Sequence, residues 1–412
     1  MSKVPRSAAV LAVIVLGATA FTAPAQDAAA PAPVFVEVRA HVTSGGRFVE
    51  DLKLEDFQVF EDGRPQPLVS LELVRGGRIV RSEGGTGRPS PQIGRTFTLL
   101  FQAVDWDPKL GAAVDHLFDA VLRPGDALTL VTPVKPYSLQ KDALALKSKA
   151  ELSKGMEDVL RKDILRGGGE YRELLRDLRR LIRAISGETS NFEEDMESDV
   201  TMEASGWLGL ETQIDRYRQA LMKLEGIRLV DEAKLLSFAA SLKGVPGQKT
   251  VVLFYQREYR PEISSATMSR MMTLYQGNPD ILGNLMDLFQ FYKREKAFDA
   301  DRVKKAFADS GIDFHFIFME KKSQRVFGAT MREQSEDTYP GFVETALATG
   351  GTTASSANPA EAFKSAAGVS SDYYLLTYSR GKSDLYPGFR TFDVRVKRDG
   401  AKISTPLGYF SK

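Results

Sequence analysis

The chain of 412 residues contains no cysteine, three histidines and two tryptophans. Without cysteine the protein cannot form disulfides or be attached to lipid through a modified cysteine, so its stability must come from a hydrophobic core. Positive and negative charges nearly cancel, with 55 Lys and Arg against 54 Asp and Glu. Global charge therefore indicates neither nucleic-acid binding nor membrane binding, and any ligand preference must be local.

The histidines give no sign of a metal or catalytic centre. His41, His116 and His315 lie in different segments, with no second histidine or cysteine at ligand spacing, so a zinc site is not expected. We interpret His315, in the run DFHFIF, as a strand residue that faces a helix or solvent. The G-x-S-x-G elbow is also missing, and the sequence predicts no catalytic residue and no cofactor.

The N-terminal stretch has the order of a secretory signal. Lys3 and Arg6 precede an apolar run over residues 8–16, and small residues follow up to Ala25. This pattern predicts a cleavable signal peptide over residues 1–25. An uncleaved anchor is the alternative, but the run is shorter than the about 20 apolar residues that span a membrane. We therefore expect an exported protein, periplasmic or secreted, with no membrane span after signal cleavage.

The rest of the chain changes its pattern twice. Residues 33–76 alternate apolar and polar positions around Gly-containing turns, which predicts a small β-sandwich-like module, and the Gly-rich stretch 77–94 reads as a linker. Over residues 95–412 short apolar runs such as TFTLLF and KTVVLFY alternate with helical periodicity. We expect an α/β domain with a doubly wound, mostly parallel sheet, closed by an antiparallel edge hairpin from the chain end.

A charged helical insertion interrupts this pattern at about residues 140–243. Its middle helix carries an apolar stripe at spacings of three and four, and arginines surround the stripe. These arginines are Arg172, Arg176, Arg179, Arg180 and Arg183. The simpler interpretation is a helix packed on its neighbour with solvated arginines. The alternatives are a helix that binds a partner or an anionic surface, and self-association through the insertion.

Several phrases resemble the VWFA-related proteins, an acidobacterial-type secreted bacterial family built on a von Willebrand factor A-like domain. They are LKLEDFQVFEDGRPQ, LRPGDALTLVTP, GQKTVVLFY and, most specifically, the C-terminal SSDYYLLTYSRG, FRTFDVRVKRDG and GYF. The match covers residues 34–137 and 245–412. It implies a von Willebrand A, Rossmann-like fold for the α/β domain.

The resemblance also implies what has happened to the family's metal site. An A domain carries Asp-x-Ser-x-Ser after its first strand, where oxygen ligands hold Mg²⁺. Gln102, Val104 and Trp106 stand at those positions in this chain, and Tyr255 and Gln256 stand where Ser and Asp are expected in a later loop. The metal-ion-dependent adhesion site is therefore expected to be degenerate and to hold no metal.

The same edge of the sheet is still a candidate binding surface, because α/β proteins bind ligands at the carboxyl ends of their strands. The predicted binding residues are Gln102, Asp105, Trp106, Asp107, Tyr255 and Gln256. A shifted cation site at Asp105 and Asp107 is an open alternative. The expected function is that of a non-enzymatic protein-binding or scaffolding protein with an unknown protein partner. The competing hypotheses are a periplasmic enzyme or accessory subunit with an unrecognised site, and a self-associating cell-surface structural protein.

Overall fold

A computed structural model describes residues 34–85, 90–140, 142–187, 209–228, 230–292, 298–380 and 387–411. The predicted signal peptide lies outside these ranges. The described residues belong to one unit, Val34–Lys412. None of its described helices combines the length and the apolar composition needed to cross a membrane.

Eighteen strands lie in the described ranges. They are β1 (Val34–Ser44), β2 (Arg47–Phe48), β3 (Phe57–Glu61), β4 (Arg64–Gln66), β5 (Leu68–Arg75), β6 (Arg78–Gly84), β7 (Arg95–Gln102), β8 (Ala127–Val131), β9 (Pro136–Leu139), β10 (Gln248–Gln256), β11 (Tyr259–Ile263), β12 (Ile312–Met319), β13 (Ala329–Glu333), β14 (Thr353–Ser356), β15 (Asp372–Arg380), β16 (Gly388–Val396), β17 (Lys402–Ser404) and β18 (Gly408–Ser411).

The described α-helices connect and cover these strands. They are α1 (Pro108–His116), α2 (Ala143–Leu146), α3 (Lys149–Gly167), α4 (Gly169–Ile185), α5 (Leu210–Arg228), α6 (Glu232–Lys243), α7 (Ser265–Leu274), α8 (Pro279–Phe291), α9 (Ala300–Asp309), α10 (Tyr339–Ala348) and α11 (Pro359–Ser371).

One six-stranded sheet contains the parallel pairs, in the order β14-β12-β10-β7-β8-β9. Its first five strands pair in parallel, and β9 joins β8 in the antiparallel direction. Every residue of β10 is buried. A strand that is covered on both faces needs a continuous apolar run, and QKTVVLFYQ supplies one in its middle.

The other three sheets are antiparallel. One runs β17-β1-β15-β5-β6 with β2 beside β1, a second runs β18-β16-β3-β4, and β11 forms a ribbon with β13. A shared apolar cluster joins the first two sheets and includes Val38, Leu71 and Tyr374 from one and Val59 and Val394 from the other. The N-terminal strands therefore form their core with the C-terminal strands.

The predicted doubly wound, mostly parallel sheet is wrong for this chain, because its sheets are mostly antiparallel and include a curled half-barrel. The chain end does not close the parallel sheet, since β15 pairs with β1 and β5 while β16 pairs with β3 and β18. Part of the stretch 77–94, predicted as a linker, is strand β6, which pairs with β5. Apolar alternation indicates where strands lie but not which distant segment each strand pairs with.

Helices α2 to α6 lie in the predicted insertion. The stripe of α4, including Leu178 and Ile182, packs against Ile214 and Leu221 of α5 in a cluster that also contains Ile263 of β11. Spacings of three and four place the apolar residues of α4 on one face, as the sequence predicts. Helices α4 and α5 are therefore packed onto the β11–β13 ribbon, whereas Leu160 and Ile164 of α3 belong to the core of the parallel sheet.

Candidate functional site

The predicted binding residues lie at the carboxyl ends of two adjacent parallel strands. Tyr255 of β10 is the register partner of Gln102 of β7. The loop that follows β7, residues 103–107, lies between this edge and α1. Tertiary structure thus brings the six predicted residues to one edge of the sheet, but their roles differ.

Gln256 holds the loop in place. Its Oε1 accepts hydrogen bonds from the backbone N–H groups of Val104 (3.1 Å) and Asp105 (3.0 Å), and its Nε2 donates to the Asp105 carbonyl (3.2 Å). The side chain is buried, with the residue 6% exposed. Gln256 therefore fixes the loop conformation and is not available to a ligand.

The Asp105 carboxylate is occupied by cations of the protein itself. Lys321 Nζ donates to Oδ2, and Arg172 Nη1 lies 3.9 Å from Oδ1. Asp107 Oδ1 instead accepts from Lys109 N (2.9 Å) and caps α1. Among the residues described, no group of three His, Cys, Asp or Glu side chains converges as metal ligands. An ammonium group thus stands beside Asp105, where the shifted cation of the alternative hypothesis would bind.

The two aromatic residues of the predicted set have different environments. Trp106 is half-buried and packs against the core of the parallel sheet. Tyr255 is only 4% exposed and stacks near Phe318, with ring centroids 6.1 Å apart. Burial raises the pKa of Tyr255 to about 12, so its phenol is neutral at physiological pH. Trp106 can contact a partner, whereas Tyr255 belongs to the core.

The helical insertion forms one wall of this edge, which the sequence pattern did not reveal. Arg172 of α4 donates to the carbonyls of Val104 and Leu165. At Gly168, between α3 and α4, an added Cβ would lie 2.3 Å from the Val104 carbonyl oxygen. Gly168 therefore permits close approach of the insertion to the loop, in addition to separating two helices.

A buried ionic network fixes α5 to the β11–β13 ribbon. Arg228 donates from Nε to Glu258 (2.5 Å) and from Nη2 to the Gln334 carbonyl (2.8 Å). Glu258 is 2% exposed, and burial raises the pKa of its carboxyl group although Arg228 opposes the rise. Sequence reasoning missed this network, because Arg228 looks like any other arginine of the charged insertion.

His315 of β12 is buried, with the residue 1% exposed, and its ring contacts Ser370 of helix α11. The Thr352 N–H donates to Nδ1 (3.1 Å), so the neutral ring carries its proton on Nε2, which lies 2.6 Å from Ser370 Oγ. Burial lowers the pKa of His315 to about 4. A nitrogen that already carries a proton cannot accept one from Ser370, so this contact is not a nucleophile–base pair.

Two of the phrases that resemble the VWFA-related family, LKLEDFQVFEDGRPQ and the C-terminal run, meet in the antiparallel sheets, whereas LRPGDALTLVTP and GQKTVVLFY contain β8 and β10 of the parallel sheet. Val59 pairs with Val394, and the Tyr378 hydroxyl donates to Glu61. The Tyr374 hydroxyl donates to the Val49 carbonyl (2.8 Å). These residues hold the sheets together and do not themselves form a binding site.

Comparison with protein-family models, with curated proteins and with solved structures finds no match to this chain. The resemblance to the VWFA-related family is therefore a proposal that rests on the quoted phrases alone.

Proposed function

We propose that the protein is an exported, non-enzymatic binding or scaffolding protein that binds a protein partner through a composite surface. We define the composite surface as residues 105–107, Arg172, Arg179, Arg183 and Lys321. The supporting observation is the immobilised loop, which Gln256 holds from β10 and Arg172 holds from the insertion. A loop held in one conformation loses little entropy on binding, and half-buried Trp106 is of the residue type that dominates protein interfaces.

The chemistry of this edge favours binding over catalysis. Asp105 is paired with Lys321, and Glu258 is paired with Arg228 beneath the insertion. A general base must reach a substrate proton, but these carboxylates already accept hydrogen bonds from cations of the protein. The VWFA-related phrases support the same function, as a resemblance to a family built on an adhesion-type domain.

A photo-crosslinking residue at Gln102 tests the binding surface. Gln102 is exposed at the carboxyl edge, and Val80 of β6, which is 55% exposed, is the matched control position. In the cell envelope of bacteria that express the protein, we expect a discrete crosslinked product from position 102. Trp106→Ala should abolish this product and leave the circular dichroism spectrum of the protein unchanged. Equal products from both positions would contradict the proposal. So would hydrolysis of ester or phosphate substrates that Asp105→Asn abolishes.

Export is tested by the mass of the mature chain. When the full-length chain is expressed in a Gram-negative host, the protein should be found outside the cytoplasm. Its mass should equal that of a chain whose first residue is Gln26. A full-mass protein retained in the cytoplasm would show that this part of the proposal is wrong.

The ammonium group of Lys321 beside Asp105 supports binding without a metal, which is a further part of the proposal. Titration of the purified protein with Mg²⁺ or Mn²⁺ in a calorimeter should give no saturable heat, because a divalent cation would be repelled by Lys321 and Arg172. Micromolar affinity for either ion would refute this part of the proposal.

A further inference from the structure

The composite surface carries four cations against two carboxylates, Asp105 and Asp107. Lys321 and Arg172 both lie against Asp105, and Arg179 is close enough to interact electrostatically with the same group. Arg183 lies close enough to Arg179 for the two guanidinium groups to repel each other. Within the described ranges, Asp105 is the only ion-pair partner found for these four cations.

Arg179 is the most informative member of this group. Its side chain is half-buried, and its Nε is fully buried without a hydrogen-bond acceptor among the residues described. Burial and the charge of Arg183 both lower the pKa of Arg179. By contrast, Arg180 on the same helix pairs with Asp177 at 3.1 Å. A desolvated N–H donor without an acceptor is unfavourable, so the Nε of Arg179 lowers the stability of the fold, and the attraction to Asp105 opposes this effect.

The arginines of α4 that belong to the composite surface lie on one side of the helix and differ in their hydrogen bonding. Residues 172, 179 and 183 are seven and four apart and therefore lie on one side of α4. Arg172 already donates to two backbone carbonyls, and Lys321 is already bonded to Asp105. Among the residues that the structure describes, Arg179 and Arg183 are the two cations of the composite surface without a hydrogen-bonded or ion-paired partner, so their donors remain for an external ligand.

We propose that Arg179 and Arg183 form an anion site that binds a carboxylate from an acidic segment of the partner protein. The proposal rests on the protein-binding function proposed above and names the chemistry of the partner. Asp105 shows that a carboxylate is stable among these cations, and a planar guanidinium matches a carboxylate with two parallel hydrogen bonds.

The charge distribution favours a peptide over a polyanion. The site is bordered by Asp105 and by the Arg180–Asp177 pair, and the whole chain has a formal net charge of +1. Nucleic acids and anionic membranes are bound by extended basic surfaces, and a short mixed-charge site suits individual acidic side chains better.

The probe for this site is a fluorescein-labelled, capped hexaglutamate peptide, titrated with the full mature protein by fluorescence anisotropy. The Arg179→Gln/Arg183→Gln double variant should weaken binding by about tenfold or more, because it removes charge-assisted hydrogen bonds. The matched control, Arg161→Gln/Lys162→Gln on α3, removes two exposed charges from the same insertion. It should change the affinity by less than about twofold, as expected for exposed charges that are not part of the composite surface.

A stability measurement separates a binding role from a structural one. Arg179→Gln should leave the unfolding midpoint unchanged or raise it, since it removes a buried N–H donor that has no acceptor among the residues described. A lowered midpoint would show that Arg179 stabilises the fold.

Four results would overturn the proposal. They are no binding of the peptide, equal loss in the two double variants, displacement of the peptide by inorganic phosphate at concentrations where acetate has no effect, and tighter binding to phosphatidylserine vesicles than to the peptide. If the crosslink from Gln102 persists in any of these cases, only the acidic-segment proposal fails and the broader binding function stands.

Discussion

Acidification is expected to destabilise the protein largely through one buried ring, that of His315. The pKa of this histidine falls from 6.5 in the unfolded chain to about 4 in the fold, because burial disfavours the charged imidazolium. Between these values the folded state binds fewer protons than the unfolded state, so the free energy of unfolding decreases as the pH falls from about 6.5 to 4. Above pH 6.5 the ring is neutral in both states and the contribution is fully present.

The size of the effect follows from the two pKa values. At about 1.4 kcal/mol for each pH unit that separates them, His315 accounts for a loss of about 3 kcal/mol. The pKa values of His41 and His116 are also lowered, chiefly by burial, and add to the loss. Burial raises the pKa of Asp313, which opposes the loss at the acidic end.

Urea unfolding of wild type and His315→Gln between pH 4 and 7.5 isolates the contribution of the ring. The glutamine amide can still donate to Ser370 and accept from the Thr352 N–H, but it does not titrate. The stability of the variant should therefore depend less steeply on pH, by most of the about 3 kcal/mol. His116→Gln, at a half-buried site, should change the slope much less. Parallel pH curves for wild type and His315→Gln would refute the reasoning.

Three substitutions test the contacts that build the composite surface and its support. Arg228→Met should lower the free energy of unfolding in urea by about 3–5 kcal/mol, because it leaves Glu258 buried and charged, and adding Glu258→Met should restore most of the loss. An equally unstable double variant would argue against the ion pair. Gln256→Leu should lower the free energy of unfolding by about 2 kcal/mol, since the buried Val104 N–H and the part-buried Asp105 N–H lose their acceptor, and should also reduce crosslinking from position 102. Gly168→Val should be destabilising in thermal melts because its Cβ would meet a backbone carbonyl, whereas Gly169→Ala, with open space around its Cβ, should not be; equal melting temperatures would disprove the close approach.

Local patterns predicted many elements but not their partners. The runs TFTLLF, KTVVLFY and IDFHFIF lie within strands β7, β10 and β12, and the stripe of α4 lies on its buried face. The pairing of the chain end with the parallel sheet was predicted incorrectly. The strands that contain Tyr374 and Val394 would show the same apolar alternation in a hairpin with each other as in their observed pairing with β1 and β3. Periodicity therefore could not choose between these two arrangements.

The candidate site shows the same division. The sequence predicted that Gln102, Trp106 and Gln256 would meet, because parallel strands end at one edge. It did not predict that Gln256 would form hydrogen bonds to the loop of residues 103–107 or that Lys321 would form an ion pair with Asp105. These contacts join residues 151 and 216 positions apart, and only packing sets such distances.

The amino-acid sequence by itself determined the absence of disulfides, the balance of charge and the apolar periodicity of strands and helices. These properties depend on composition or on backbone geometry over a few neighbouring residues. Only the tertiary structure decided that the sheets would be mostly antiparallel and that Arg179 would be half-buried without an acceptor for its Nε. The strand pairing and the burial of Arg179 both depend on which distant segments pack together and exclude water, and this packing is a property of the whole chain.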